Sequence, residues 1–243
     1  MKRLDLSIGD PPSDLALDEA LLDEAELGRR GETLRLWQFD RPVVVIGRGS
    51  KIAGEVDLEY CQRNQIPVLR RCSGGAAIVA GAGCLMYSVV LSCQIRPELR
   101  RVDEAHHWVM TRLLAAIKRQ KPDATWQGTC DLTLDNRKFS GNSLRVARDH
   151  ILYHGTLLYA ADLSQIANCL TTPPRQPDYR GGRGHSDFIT NLSVDPVQLA
   201  DDVAAAFEAQ SPEDPRAEPD WPRQATHSLL VARYSDPAWH HRH

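Results

Sequence analysis

The sequence predicts a mixed α/β fold, and three observations point to it. Segments 14–28 and 101–120 repeat apolar residues at the helical period. Short runs at 33–39, 43–47, 84–92, 132–134, 151–153 and, beyond His154-Gly155-Thr156, 157–159 either alternate in polarity or are apolar and rich in β-branched or aromatic residues, as strands are. Glycine, proline and Asp-Asn turns separate these runs. At 243 residues the chain can bury a substantial core, as one large domain or two small ones.

The first helix, DLALDEALLDEAELG, places Leu15, Leu17, Ala20, Leu21 and Leu22 on one stripe and acidic residues on the other face. Ser13 or Asp14 caps it after Pro11-Pro12, and a structural role is expected. Val43–Gly47 reads as a strand buried on both faces. It ends in Arg48-Gly49-Ser50-Lys51, which suits either a phosphate or carboxylate site or a solvated loop. A short helix at 57–64 and a strand at 66–69 lead into Arg70-Arg71-Cys72-Ser73-Gly74-Gly75-Ala76. There two guanidinium groups and bare backbone amides can converge on one anion. The stretch 73–83 also reads as close-packing strand residues, and it is neither a P-loop nor a clean GxGxxG.

Residues 84–92 are expected to be a core strand, with Cys84 and Cys93 as buried small hydrophobes. Helix 101–120 turns Trp108, Val109, Leu113, Leu114 and Ile117 inward, and adjacent His106 and His107 read as a surface pair. Segment 128–160 is the focus of the chain. Leu132-Thr133-Leu134 alternates, Asp135-Asn136 turns, and Lys138 follows within the small, polar run Ser140-Gly141-Asn142-Ser143. Such a lysine is either a solvated hairpin residue or a compact charge for an anionic or carbonyl oxygen.

Downstream, a helix at 162–170 stops near Pro173-Pro174. Residues 175–187, rich in glycine and arginine and without a core pattern, form a mobile loop that closes over a ligand or merely connects. A helix at 196–209, a Pro/Glu/Asp-rich spacer at 211–223 and a final strand at 228–234 precede a surface tail with His240, His241 and His243.

The 29 basic and 32 acidic residues give a net charge of -3, which offers no electrostatic case for nucleic acid. No run of about 18 apolar residues and no signal core is present, so no membrane partner and a cytoplasmic location are expected. The six cysteines show no CxxC pair, so reduced thiols are expected and neither disulfides nor zinc.

The blocks RRCSGG at 70–75, DNRKFSGNS at 135–143 and HGTLL at 154–158 occur with LDEALL at 17–22, VVIGR at 44–48, ADLSQIANCL at 161–170 and TNLS at 190–193. In this order they resemble the lipoate-protein ligase family, which groups with octanoyltransferases and biotin protein ligases. The resemblance implies an α/β (α+β) fold with a large mixed, mainly antiparallel sheet flanked by helices. It implies one catalytic domain over 1–243, without a full C-terminal accessory domain.

It also implies two steps. Lipoate or octanoate, ATP and Mg²⁺ give acyl-AMP and pyrophosphate, and a lysine of a lipoyl acceptor domain then takes the acyl group, with no covalent enzyme intermediate and no tightly bound cofactor. A separate accessory subunit is an implied further partner. By the same resemblance Lys138 is the catalytic lysine. The acyl-adenylate site is implied to hold Arg70, Ser73, Gly74, Gly75, Ala76, Asp131, Ser140, Gly141, His154, Gly155 and Thr156, with Asp131 also near the nucleotide's Mg²⁺.

Three positions depart from the pattern: Ala76 stands for the third loop glycine, Ala80 for a loop histidine and Cys130 for an asparagine. Two other functions follow from these residues. Cys130 suits octanoyl transfer from a carrier protein through a thioester. Ala76 and Ala80 suit a homologue that binds an acyl group without catalysis. Biotin ligation is a weaker option.

Overall fold

The computed structural model describes residues 1–172, 176–211 and 218–242. The strands are β1 (Lys2–Asp5), β2 (Thr33–Trp37), β3 (Val43–Ile46), β4 (Val68–Arg70), β5 (Ile78–Ala80), β6 (Cys84–Ser92), β7 (Thr125–Gln127), β8 (Asp131–Leu134), β9 (Arg137–Val146) and β10 (His150–Leu158). The helices are α1 (Pro11–Glu26), α2 (Leu58–Arg63), α3 (Val102–Lys118), α4 (Leu163–Cys169), α5 (His185–Phe188), α6 (Pro196–Ala206), α7 (Arg223–Leu229) and α8 (Pro237–His240).

Seven strands form the main sheet in the order β1-β2-β6-β10-β9-β8-β7. All neighbours in it are antiparallel except β1 and β2. A small sheet, β4-β3-β5, lies against it, and one buried apolar cluster draws side chains from both. Central β6 is buried at every position, which explains its unbroken apolar run. His154-Gly155-Thr156 continue β10 without a break, so the two runs on either side of them are one strand.

The hairpin between β8 and β9 follows from its turn. Asp135 and Asn136 take φ of 50° and 59°, the paired left-handed conformation whose twist matches two antiparallel strands. An irregularity between the Leu132 and Thr133 pairings lies opposite Lys138 and re-aims its side chain.

Several expectations are corrected. Helix α1 is capped by Asp10, whose carboxylate accepts from the Ser13 N–H, and not by Ser13 or Asp14. Its acidic residues do not fill a solvated face: Asp14, Asp18 and Glu19 are buried, because α1 lies between the main sheet and the C-terminal helices. Each has a cationic partner, Arg35 for the aspartates and Arg145 and Arg233 for Glu19. His106 is also buried, its Nδ1 2.8 Å from the Tyr153 hydroxyl, whereas His107 is exposed.

The strand expected at 228–234 is helical: α7 runs on into a π-helical turn at Leu230–Tyr234. A short apolar run does not reveal its period; packing against α1, which buries Thr226 and Tyr234, decides it. The histidine tail is a surface tail only in part, since His241 is exposed and His240 is not. His240 is buried, accepting from the Arg70 N–H at Nδ1 and lying 2.9 Å from the Tyr234 carbonyl at Nε2.

The glycine- and arginine-rich stretch does have a packed part. Arg180 is buried with its guanidinium over Phe188, and α5 closes that turn. The stop at Pro173-Pro174, Arg175, residues 212–217 of the 211–223 spacer and His243 lie outside the described residues. Among the described residues no helix is long and apolar enough to cross a membrane.

Candidate active site

Beneath the β8–β9 hairpin lies a cavity of about 100 Å³. Its apolar end is built by Leu15 of α1, Val45 of β3, Ile78 of β5 and Met86 of β6. Its polar end holds Lys138, Asn142, Ser143, His154 and Thr156 from β9 and β10. The glycine loop, through Gly75, Ala76 and Ala77, closes one side.

Two glycines are demanded by geometry. A Cβ on Gly155 would lie 1.9 Å from the Asn142 side-chain oxygen. Gly75 has φ +83°, open only to glycine at low strain, and its Cβ would meet the Arg71 guanidinium at 2.9 Å.

Lys138 is the ammonium of the polar end. Its Nζ is 2.7 Å from Asp131 Oδ1 and lies over Gly141, where the missing side chain leaves room for it. The other Asp131 oxygen accepts from the Tyr179 hydroxyl at 2.7 Å. Burial and that carboxylate push the Tyr179 phenol up, so it stays a donor. Both Asp131 oxygens are thus engaged, and among the described residues no group of three or more His, Cys, Asp or Glu is placed to hold a metal.

A polar chain runs from the cavity wall to the glycine loop. Asp18 Oδ2 faces His154 Nδ1 at 3.0 Å, and His154 Nε2 lies 2.5 Å from Ser73 Oγ. Burial works to raise the Asp18 carboxyl, but the His154 hydrogen bond, the Arg35 charge and the Ser88 hydroxyl outweigh it and hold it below the ordinary carboxylate value. An ionised Asp18 requires a donor, so His154 presents N–H at Nδ1, while its Nε2 is hydrogen-bonded to the Ser73 hydroxyl. This chain ties α1, β10 and the glycine loop together in one geometry.

The expected site residues are distributed unevenly. Lys138, Gly75, Ala76, Gly141, His154, Gly155 and Thr156 line the cavity. Ser73 and Ser140 are buried behind it, and Gly74 faces a separate outer cleft. Arg70 is elsewhere: its guanidinium is fully buried and donates to the carbonyls of Gly47, Ser50, Trp239 and His240. Arg71 is the arginine at the cavity, and it too is turned to carbonyls, those of Val45, Gly74 and Ala76. In this structure both guanidinium groups brace the loop instead of converging on an anion.

Sequence reasoning missed Asp18 and Asn142. Asn142 donates to the Cys130 carbonyl and accepts from Tyr87, so it fixes the strand beside Lys138. Its place within SGNS two residues before Leu144 was visible; its partners were not. Cys130 donates to the Asn142 carbonyl, and burial together with Asp131 pushes its thiol up to about 11, so it remains protonated at neutral pH.

A protein named probable lipoate-protein ligase A from Mycoplasma genitalium is 31% identical over 183 residues, 75% of this chain and 53% of that one. The chain therefore spans about half the length of that relative. A lipoate-protein ligase A solved with bound ATP shares the fold at TM-score 0.81 and 21% identity, over 99% of this chain and 98% of that one. A bi-partite lipoate protein ligase of Thermoplasma acidophilum, described with its E2 lipoyl domain, does so at TM-score 0.76 and 22% identity, over 99% and 95%. Residues 10–210 match a family model that takes in the glycine loop, the Lys138 hairpin and the His-Gly strand, and on that match the chain belongs to the lipoyl protein ligase A/B catalytic domain family.

Proposed function

We propose that the protein is an ATP-dependent lipoate-protein ligase, which activates lipoate or octanoate to acyl-AMP and transfers the acyl group to a lysine of a lipoyl acceptor domain. The observation that carries this reading is the cavity: an apolar slot that ends on an ammonium held over a glycine. An acid with an apolar tail would lie with the tail among Leu15, Val45, Ile78 and Met86 and the carboxylate at Lys138, the cavity widening to take it.

In the first step the carboxylate oxygen bonds to the α-phosphorus of ATP as pyrophosphate leaves with the electron pair. Negative charge gathers on the α-phosphate and acyl oxygens, where a fixed ammonium in a site screened from water is most effective. Asp131 orients that ammonium, and Tyr179 holds Asp131. In the second step the acceptor amine attacks the acyl carbon and AMP departs, with Lys138 again facing both oxygens. Mg²⁺ enters with the nucleotide, since Asp131 is already committed. The bi-partite architecture of the archaeal ligase supports reading this chain as a catalytic unit that works with a separate accessory protein. Free cysteines fit a reducing compartment.

Thioester transfer through Cys130 is disfavoured by its raised thiol pKa and its bond to the Asn142 carbonyl. The test is mass spectrometry of a lipoyl domain incubated with the protein, lipoate and Mg-ATP, beside octanoyl carrier protein without ATP. Ligation is expected to need ATP, to fall about 10²–10³-fold in Lys138→Ala, and to persist in Cys130→Ser. Modification from the carrier alone, lost in Cys130→Ser, would instead establish the transferase. Lipoate binding without turnover under either condition, with the accessory protein added as well as without it, would establish an acyl-binding homologue.

A further inference from the structure

We propose that a basic cleft beside the cavity, formed by Arg48, Arg145, Arg233 and Arg242, is a diphosphate-binding subsite. This rests on the adenylating reading above, because the diphosphate is the β,γ end of the nucleotide and the pyrophosphate that it becomes. The cleft has a volume of about 580 Å³ with a continuation of about 160 Å³, and Arg48, Arg145 and Arg242 wall both. Its arginines come from three distant stretches: the loop after β3, strand β9 and the C-terminal segment.

Trp239 holds two of them by their faces, the Arg233 and Arg242 guanidinium carbons lying 4.8 and 4.0 Å from its ring centre. Among the described residues Glu19 is the one carboxylate paired with any of the four, and it takes Arg145 and Arg233. Four positive charges face Glu19 and, within Coulombic reach of Arg145 and Arg233, the Asp23 carboxyl, so the cleft keeps an excess of positive charge. Burial and the charges of Arg48 and Arg233 push the Arg242 guanidinium below its ordinary value, the mark of like charges held together. An oxyanion of about three charges with many acceptors is the natural complement.

The position ties the cleft to the reaction. Ser73 and Gly74 wall it, while Gly75, the next residue, walls the cavity. On β9 Gly141, Ser143 and Arg145 share one face, with the Lys138 ammonium over Gly141. At about 3.3 Å per residue, Arg145 Cα stands roughly 13 Å along the strand from Gly141, and an extended arginine spans about half of that. An α-phosphate at Lys138 therefore directs its β and γ groups towards the arginines. As the bond from the α-phosphorus to the bridging oxygen breaks, the electron pair leaves on the diphosphate, where the guanidinium groups stabilise it.

Among the described residues Arg48 and Arg242 hold no ion pair, so the test uses the Arg48→Ala/Arg242→Ala variant, with Arg48→Lys/Arg242→Lys to keep the charge. Calorimetric titrations with pyrophosphate, phosphate and AMP are run beside lipoate-dependent ATP–pyrophosphate exchange. Pyrophosphate is expected to bind the alanine variant about 10-fold more weakly, and the KM for pyrophosphate in exchange to rise about as much, with AMP affinity unchanged and the lysine variant intermediate. Normal exchange with unchanged pyrophosphate affinity in the alanine variant overturns the subsite and leaves the ligase reading intact. Arginine-dependent pyrophosphate binding with no exchange, also when the accessory protein is supplied, overturns the ligase reading instead. Phosphate bound as tightly as pyrophosphate overturns the diphosphate assignment.

Discussion

Asp18 serves three partners at once: Arg35 at 2.8 Å, the Ser88 hydroxyl at 2.6 Å and His154 at 3.0 Å. All four side chains are buried, so the charge balance is local. Asp18→Asn keeps the shape but leaves Arg35 undercompensated and removes the anion to which His154 donates from Nδ1. Breaking a buried pair in this way costs roughly 3–5 kcal/mol. Urea unfolding followed by tryptophan fluorescence measures it, since Trp37 lies 4.2 Å from the Arg35 guanidinium. A loss below about 1 kcal/mol would show the pair to be dispensable. Asp18 was hidden in the sequence by an ordinary amphipathic stripe, and its partner His154 lies 136 positions away. Lys138, by contrast, was singled out by a turn and small neighbours, which left open whether it is a solvated hairpin residue or a charge for an anion; its place at the cavity rests on the three-dimensional arrangement. Between Arg70 and Arg71, adjacent side chains on a strand edge face different ways, and nothing local said which one met the cavity.

Elements with a strong local signal were read correctly in type. The 84–92 strand and the hairpin turn at Asp135-Asn136 are where patterning placed them, because β-branching and left-handed φ are local properties. The C-terminal segment was misread because its structure is imposed by contact. There α8 presents His240, whose Nδ1 accepts from the Arg70 N–H and whose Nε2–H donates to the Tyr234 carbonyl. Protonating Nδ1 would set N–H against N–H. Burial accordingly lowers the folded His240 pKa below its ordinary 6.5. Between those two values the unfolded chain binds the proton and the folded one does not, so stability rises with pH. The contribution is complete above about pH 6.5 and is lost as pH falls through the lowered folded value. His106 shifts in the same direction, so the diagnostic is a difference between proteins. The fall in Tm from pH 7 to pH 5 is expected to be smaller in His240→Gln than in the wild type. An equal fall in both would show that His240 does not titrate with unfolding.

At the scale of the molecule, the cavity is a joint. Its walls come from the main sheet through Met86 and β9–β10, from the small sheet through Val45 and Ile78, and from α1 through Leu15 and Asp18. A ligand that fills it touches every layer, so its binding energy acts on the docking of the two sheets as well as on the fold of each. The shared buried cluster implies that both unfold in one transition. A ligand that binds only the native state adds RT ln(1 + [L]/Kd), about 2.7 kcal/mol at 100 times Kd. For a chain of 243 residues, each kcal/mol moves Tm by about 2–4 °C, so a sulfamoyl mimic of lipoyl-adenylate at that excess is expected to raise Tm by about 5–11 °C. Scanning calorimetry should show a single peak that moves as a whole. A split peak, with one part unmoved at saturation, would mean that the small sheet unfolds by itself and that the ligand grips only one layer.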